Sequence, residues 1–348
     1  MGTGRIYIVD TTLRDGSHAV SHSFTVEQAS VVAGGLDRAG VELIELSHGD
    51  GIAGSSINYG FSKVPELELL AGAGKVVGKA KLGVLLLPGI GTIEDLEEAR
   101  SRGANAVRVA THATEADIAV QHIEWAKQNG MFTVGFLMMT HMASPEKIVE
   151  QARIFEDAGV DYINLADSAG YMTPDDVRIR VGALRAGSKV PVGFHAHNNL
   201  GLAVANSLAA VEEGASYIDA TCRGLGAGAG NTQIEVFCAV LQRLGYDTGV
   251  DCYALMDLAE DVVEPLMQRP QIIRSDSLML GYAGVYSSFL LHTRRASQRF
   301  GIPPRDILVE LGKRRMVGGQ EDMIVDVAYE LSQKQKSHQG GAGSFASE

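Results

Sequence analysis

The chain is poor in the residues that staple small folds. Cys222, Cys238 and Cys252 are its only cysteines, an odd number without a metal-knuckle spacing. That excludes a disulfide framework and a thiolate zinc knuckle, and it reads as reduced thiols in a cytoplasm. Basic charge is scarce as well: 30 Lys and Arg against 42 Asp and Glu leave a formal net charge of -12. A phosphate-backbone binder needs a basic face, so nucleic acid is not expected as a partner. No run approaches the roughly 18 consecutive apolar residues of a membrane span. The start, Met-Gly-Thr-Gly-Arg, lacks an apolar signal core, and Ile6 stands where a myristoylation motif wants Ser or Thr. No Gly-rich dinucleotide turn follows the first apolar run, Ile6 to Val9, which argues against an open doubly wound sheet.

Glycine, at 41 residues, is abundant, and it suits many tight strand–helix turns. Short apolar runs alternate with helical periodicity from Ile6 to about Leu244, giving roughly eight strand–helix units, the number that closes a (β/α)8 TIM barrel. Runs apolar on both faces suit a parallel sheet covered by helices. Gly40, Gly103, Gly159 and Gly214 each precede a strand, as helix C-cap glycines do. Thr25, Thr92, Ser144 and Thr173 stand at helix starts, the last three before capping-box acids or a first-turn proline. Beyond Tyr246 only helical patterns remain. The expected domains are an α/β barrel over 1–250, a C-terminal helical domain over 251–334 that docks a partner, and a disordered tail over 335–348.

The stretch Gly193-Phe194-His195-Ala196-His197-Asn198-Asn199 closes the seventh strand. Residues i and i+2 of a strand face the same way, so the imidazoles of His195 and His197 lie side by side. Two neutral imidazoles and a carboxylate, with positions left open, form a usual catalytic metal set. In a barrel, catalytic groups gather at the C-terminal strand ends. There the chain offers Arg14, Asp15, His18, Glu45, His48, His141, Asp167, Ser168 and Asn231. The expected metal ligands are Asp15, His195 and His197, with Mn2+, Mg2+, Co2+ and Zn2+ all compatible. Asp15 also fits a plain Asp-Gly turn, Arg14 a surface charge and Asp167 a helix cap. The glycine-rich run Gly224–Asn231 reads either as an anion loop or as a place of close backbone approach.

Three groups of residues carry a family resemblance: Val9 to Gly16, His195 to Gly201, and the loop ending at Asn231. They resemble the metal-dependent pyruvate aldolase and acyl-condensing superfamily, which includes isopropylmalate synthase, hydroxymethylglutaryl-CoA lyase and carboxyltransferase domains. Arg14 to Val20, His48 to Gly51, Asn58 to Gly60 and Gly281 to Phe289 narrow the resemblance to the 4-hydroxy-2-oxovalerate aldolase family, over about Ile6 to Ser332. The resemblance implies Mn2+ on Asp15, His195 and His197, with Mg2+ or Co2+ as substitutes. It implies Arg14 steadying an enolate, His18 as general base, and Ser168 and Tyr286 lining a substrate pocket shared with Arg14, Asp15 and His195. It further implies cleavage of 4-hydroxy-2-oxovalerate or 4-hydroxy-2-oxohexanoate to pyruvate and acetaldehyde or propanal. The aldehyde would be channelled to an acylating dehydrogenase in a heterotetramer serving aromatic hydrocarbon catabolism.

The chain departs from the wider superfamily at two points. Its glycine loop holds no cysteine, which the lyases use, and no lysine ends a middle strand, where the carboxyltransferases place a ligand. Lys81 begins its strand, at the wrong end for a Schiff base, whereas Lys63 lies in a loop at the right one. The alternatives are a Claisen-type enzyme that condenses an acyl-CoA with a 2-oxo acid, and a metal-containing scaffold subunit without turnover.

Overall fold

The computed structural model describes residues 4–342. Eight parallel strands close a barrel in sequence order: β1 Tyr7–Asp10, β2 Leu43–Glu45, β3 Lys81–Leu86, β4 Ala106–His112, β5 Phe132–Met138, β6 Tyr162–Asp167, β7 Val192–Ala196 and β8 Tyr217–Ala220. The ring is closed by β1 on β8, with Val9 opposite Asp219. Around it run α1 Val26–Ala39, α2 Glu66–Ala73, α3 Ile93–Ser101, α4 Val120–Gln128, α5 Pro145–Ala158, α6 Pro174–Gly187, α7 Ala203–Glu212 and α8 Ile234–Arg243. Thr25, Thr92 and Thr173 each accept from the N3 amide in a capping box, and Ser144 caps α5 ahead of Pro145. These bonds satisfy amides that a helix start leaves without partners. Gly40 and Gly159 end α1 and α5 at φ 89° and 94°, a conformation that costs a side-chain-bearing residue.

Each strand divides its residues between two faces. Ile8, Ile44, Val84, Val107, Val109, Leu137, Ile163, Leu165, Phe194 and Ile218 turn outward into the large core beneath the helices. The inward set is different. Stacked rings of Tyr7, Tyr217 and Tyr162, with Phe132, fill the end where the strands begin, at centroid spacings of 4.8 Å and 4.1 Å for the two tyrosine pairs. Leu85, Ala110, Phe136 and Ala166 form a small apolar layer of their own. The barrel axis also holds charge: Glu45, Arg108 and Asp219 are all buried.

Past residue 250 the chain still feeds the barrel core. α9 Cys252–Asp257 and the wide and tight turns that continue it to Leu266 bury Leu255, Leu258, Ala259 and Val263 in the barrel core. Gly35 of α1 gives them room: a Cβ there would stand 2.5 Å from Leu258 Cδ1. A helical pattern in the sequence does not say which core it feeds. A second core, including Leu280, Phe289, Ile307, Leu311, Ile324 and Val327, joins α10 Ser275–Ala283, α11 Phe289–Phe300, α12 Pro304–Lys313 and α13 Asp322–Ala342. In α10, Gly281, Tyr282 and the serines blur the helical period. Of the tail expected over 335–348, residues 335–342 continue helix α13. Residues 343–348 lie outside the described ones. No helix among the described residues is long and apolar enough to cross a membrane.

Candidate active site

Loop β1–α1 turns sharply after Asp10. The Asp10 carboxylate accepts from the Thr12 amide (2.9 Å) and hydroxyl (2.7 Å), and a single tight helical turn over Asp15–His18 follows. That turn carries Asp15 over the end of β7, where the His-x-His pair arrives as strand alternation requires. His195 Nε2 lies 3.3 Å and His197 Nε2 3.6 Å from Asp15 Oδ2, and the two Nε2 atoms are 3.4 Å apart. All three residues are buried. Two ligands about 2.1 Å from a common ion stand roughly 3.0–3.6 Å apart, so the spacing fits a shared divalent cation. Two imidazole nitrogens at this distance otherwise oppose their lone pairs unless a proton or cation lies between them.

The neighbours fix which atoms face inward. Asp219 Oδ2 accepts from His195 Nδ1 (2.9 Å), which commits the Nδ1 proton and leaves Nε2 toward Asp15. Asn231 Nδ2 donates to Asp15 Oδ2 (2.7 Å), while its own buried Oδ1 has no partner among the described residues. Burial pushes the Asp15 carboxyl up, but Arg14, His197 and His195 outweigh it and hold it well below the usual carboxylate range. Burial pulls His197 down to about 4, so its imidazole is neutral and free to ligate at neutral pH. Burial also lowers His195, yet its bonds to Asp15 and Asp219 leave it above its ordinary value. A cation would displace the proton held between those groups.

Arg14, 6% exposed, donates from Nε to Glu45 Oε2 (2.7 Å), and its Nη1 lies 3.8 Å from Asp15 Oδ2. His18 sits at the mouth with Nε2 4.0 Å from Asp50 Oδ2. Beneath it His22 and His48 stack at 3.8 Å, and burial lowers them to about 2 and about 4. Gly49 leaves room for this imidazole, since a Cβ there would lie 2.3 Å from His18 Nε2. Ser168 Oγ accepts from the Met139 amide (3.0 Å), and the Ser168 carbonyl accepts from the Ser287 amide (3.0 Å) and hydroxyl (2.7 Å). Tyr286, the residue before Ser287, lines a cavity of about 300 Å3 with Asp50, Tyr59, Leu87, Met138 and Glu321. Asp15, His195 and His197 lie outside that cavity's walls, which run from Asp50 to the 317–321 loop.

Asp15, His195 and His197 thus come together, with Arg14 against them and His18 at the mouth, while Ser168 stands just past β6 and Tyr286 between α10 and α11. His141 is used otherwise: its Nε2 donates to the Gly284 carbonyl (3.1 Å) and ties barrel to helical domain. Asp167 accepts from the Tyr171 and Met172 amides and shapes its loop rather than capping a helix. Lys63 is exposed, and Lys81 pairs with Glu42 at the far end. The glycine loop is no open cradle. It is buried, its Ala229 amide donates to Asn199 Oδ1 (2.8 Å), and a Cβ on Gly228 would sit 2.4 Å from that oxygen. Sequence reading missed Asp219 and Arg108, and it counted Glu45 without giving it a task. The available signal was a single charge inside each apolar strand.

A parallel eight-stranded barrel carrying a two-histidine, one-carboxylate cluster at its mouth defines the class: residues 5–262 match the HMGL-like family, and residues 271–333 match the DmpG-like communication domain. More narrowly, the chain belongs to the 4-hydroxy-2-oxovalerate aldolase family. It is 67% identical over 334 residues to the 4-hydroxy-2-oxovalerate aldolase of Moorella thermoacetica, covering 96% of this chain and 99% of that one. It is 61% identical to that of Carboxydothermus hydrogenoformans, covering 95% and 99%. The carboxyl transferase domain of Rhizobium etli pyruvate carboxylase, solved with pyruvate and biocytin, shares the fold at TM-score 0.81 and 18% identity, over 95% of this chain and 61% of that one. The relatives favour an aldolase over the Claisen-type alternative.

Proposed function

We propose that the chain cleaves a 4-hydroxy-2-oxo acid, 4-hydroxy-2-oxovalerate or the six-carbon 4-hydroxy-2-oxohexanoate, to pyruvate and acetaldehyde or propanal. A divalent ion, Mn2+ with Mg2+ or Co2+ as substitutes, would be held by Asp15, His195 and His197. The observation that carries this reading is the convergence of those three ligand atoms at 3.3–3.6 Å, on a chain of the aldolase family. When bound, such an ion acts as a Lewis acid on the 2-oxo group.

The chain's own residues supply the rest. His18 takes the proton from the C4 hydroxyl as general base, the C3–C4 electrons pass to the 2-oxo acid portion as the aldehyde departs, and a proton returned to C3 completes pyruvate. Arg14 is always charged and stands beside Asp15, so it stabilises the oxygen that becomes negative. Ser168 and Tyr286 border the substrate. The match of 271–333 to a communication domain supports handing the aldehyde to an acylating acetaldehyde or propanal dehydrogenase bound there, in a heterotetramer. The test is pyruvate and aldehyde release from both substrates by the purified chain with Mn2+ supplied. Equimolar products support the reading. Release of free CoA from an acyl-CoA, with no aldehyde, would favour the condensing enzyme.

A further inference from the structure

We propose that Arg108, buried on the barrel axis, is a positioning residue that holds both halves of the site: His195 through Asp219, and Arg14 through Glu45. The inference rests on the site reading above. Arg108 lies mid-way along β4 in Ala-Val-Arg-Val-Ala and is fully buried. Its Nη2 donates to Asp219 Oδ2, and its Nη1 to Glu45 Oε2 (3.3 Å). The same Asp219 oxygen accepts from His195 Nδ1 (2.9 Å), and the same Glu45 oxygen from Arg14 Nε (2.7 Å). One unbroken chain of contacts therefore runs Arg14–Glu45–Arg108–Asp219–His195.

Each carboxylate concentrates its bonds on one oxygen. Asp219 Oδ1 and Glu45 Oε1 are buried without partners among the described residues. The oxygen that sets each functional side chain is thus the one Arg108 grips. The plane of the guanidinium is fixed too, since it lies 4.6 Å over the centroid of Phe136, whose ring meets His195 edge-on at 5.8 Å. A planar fork can hold two carboxylates in fixed directions, whereas an ammonium is a point charge. Stability gives no reason for this arrangement. Buried ion networks are often matched or bettered by apolar packing, and an apolar layer of Leu85, Ala110, Phe136 and Ala166 sits in the same barrel.

The experiment compares full-length wild type with Arg108→Lys, Asp219→Asn and Glu45→Gln. It reads Mn2+ affinity by electron paramagnetic resonance titration, oxalate affinity of the Mn2+-loaded protein, kcat and the thermal midpoint. Asp219→Asn should weaken Mn2+ binding about 10–100-fold, the usual cost of losing an orienting partner. Glu45→Gln should leave Mn2+ affinity near wild type and lower oxalate affinity and kcat. Arg108→Lys should do both while melting cooperatively, and Arg108→Lys/Asp219→Asn should bind Mn2+ no more weakly than Asp219→Asn alone. A folded Arg108→Lys protein with wild-type Mn2+ affinity and kcat overturns the proposal. If that variant does not fold, the Asp219→Asn/Glu45→Gln pair decides. Losses in kcat that fail to multiply support coupling through Arg108, and strictly multiplicative losses overturn it. Asp15→Asn separates the two levels: if it retains Mn2+, the site reading itself fails, whatever Arg108 does.

Discussion

The general-base role proposed for His18 separates most cleanly from the proposed metal binding. His18 stands on Gly49 beside Asp50. His18→Ala should lower kcat by about 10^2–10^4-fold, the range of general-base catalysis, while Mn2+ and oxalate affinities hold near wild type in the same titrations. Loss of Mn2+ binding in that variant would contradict the assignment. At this scale the sequence is legible where chemistry forces a spacing. His195 and His197 must share a face because strand side chains alternate, and Asp15 is the carboxylate that the first loop can carry to them. Asp219, Glu45 and Arg108 are less legible, because each stands alone in an apolar strand. Nothing in Tyr-Ile-Asp-Ala or Leu-Ile-Glu says that two strands and an arginine from a third meet on one axis. Only closure of the barrel brings them within hydrogen-bond reach.

Loops and caps decide what the elements contribute. Asp37, near the end of α1, accepts from the Gly78, Lys79 and Ala80 amides at 3.1, 2.8 and 2.7 Å and so pins the entry to β3. Burial pushes its carboxyl up, but those three bonds outweigh it and hold it below the ordinary aspartate value. A carboxyl lowered on folding stabilises the fold above its unfolded pKa, and that contribution is lost as pH falls through the folded value. Asp37→Asn should therefore cost about 1.5–3 kcal/mol at pH 7, the scale of hydrogen bonds to charged groups. The gap from wild type should close as urea melts are taken from pH 5 down to pH 3, and a pH-independent gap would contradict the clamp. Gly49→Ala tests the loop after β2 in a different way. A methyl group under His18 must displace the imidazole, and a misplacement near 1 Å costs about 100-fold in kcat, with Mn2+ affinity unchanged. The strands and capped helices were readable from apolar runs and from Thr-x-x-acid or Ser-Pro signals. α10 and the early end of α9 were not, because the former has no clean period and the latter gives way to a wide turn ahead of Pro265.

Taken whole, the molecule is two cores latched at the barrel mouth. Ser287 bonds the Ser168 carbonyl and the Asn199 amide, His141 bonds the Gly284 carbonyl, and Arg315 bonds the Met142 carbonyl (3.1 Å). The latch brings Tyr286 of the helical region to a cavity it shares with Asp50 and Tyr59 of the barrel. The barrel core reaches to Val263. A chain ending at Met267 should stay soluble and melt cooperatively, whereas one ending at Tyr246 should not. The second loses the burial of Leu255, Leu258 and Val263, about 5 kcal/mol or more at 1.5–3 kcal/mol per side chain. Equal soluble yields and melts would place the boundary elsewhere. Both truncations should fail to co-purify with an acylating dehydrogenase that the full chain retains.

The most direct measurement is pyruvate formation from 4-hydroxy-2-oxovalerate by chelator-stripped protein as Mn2+ is titrated back, run beside Asp15→Asn. Turnover should be absent without metal and saturate near one ion per chain, with acetaldehyde equimolar to pyruvate and the variant silent throughout. Full turnover in chelator, or an Asp15→Asn protein that recovers wild-type rates with Mn2+, would contradict the account.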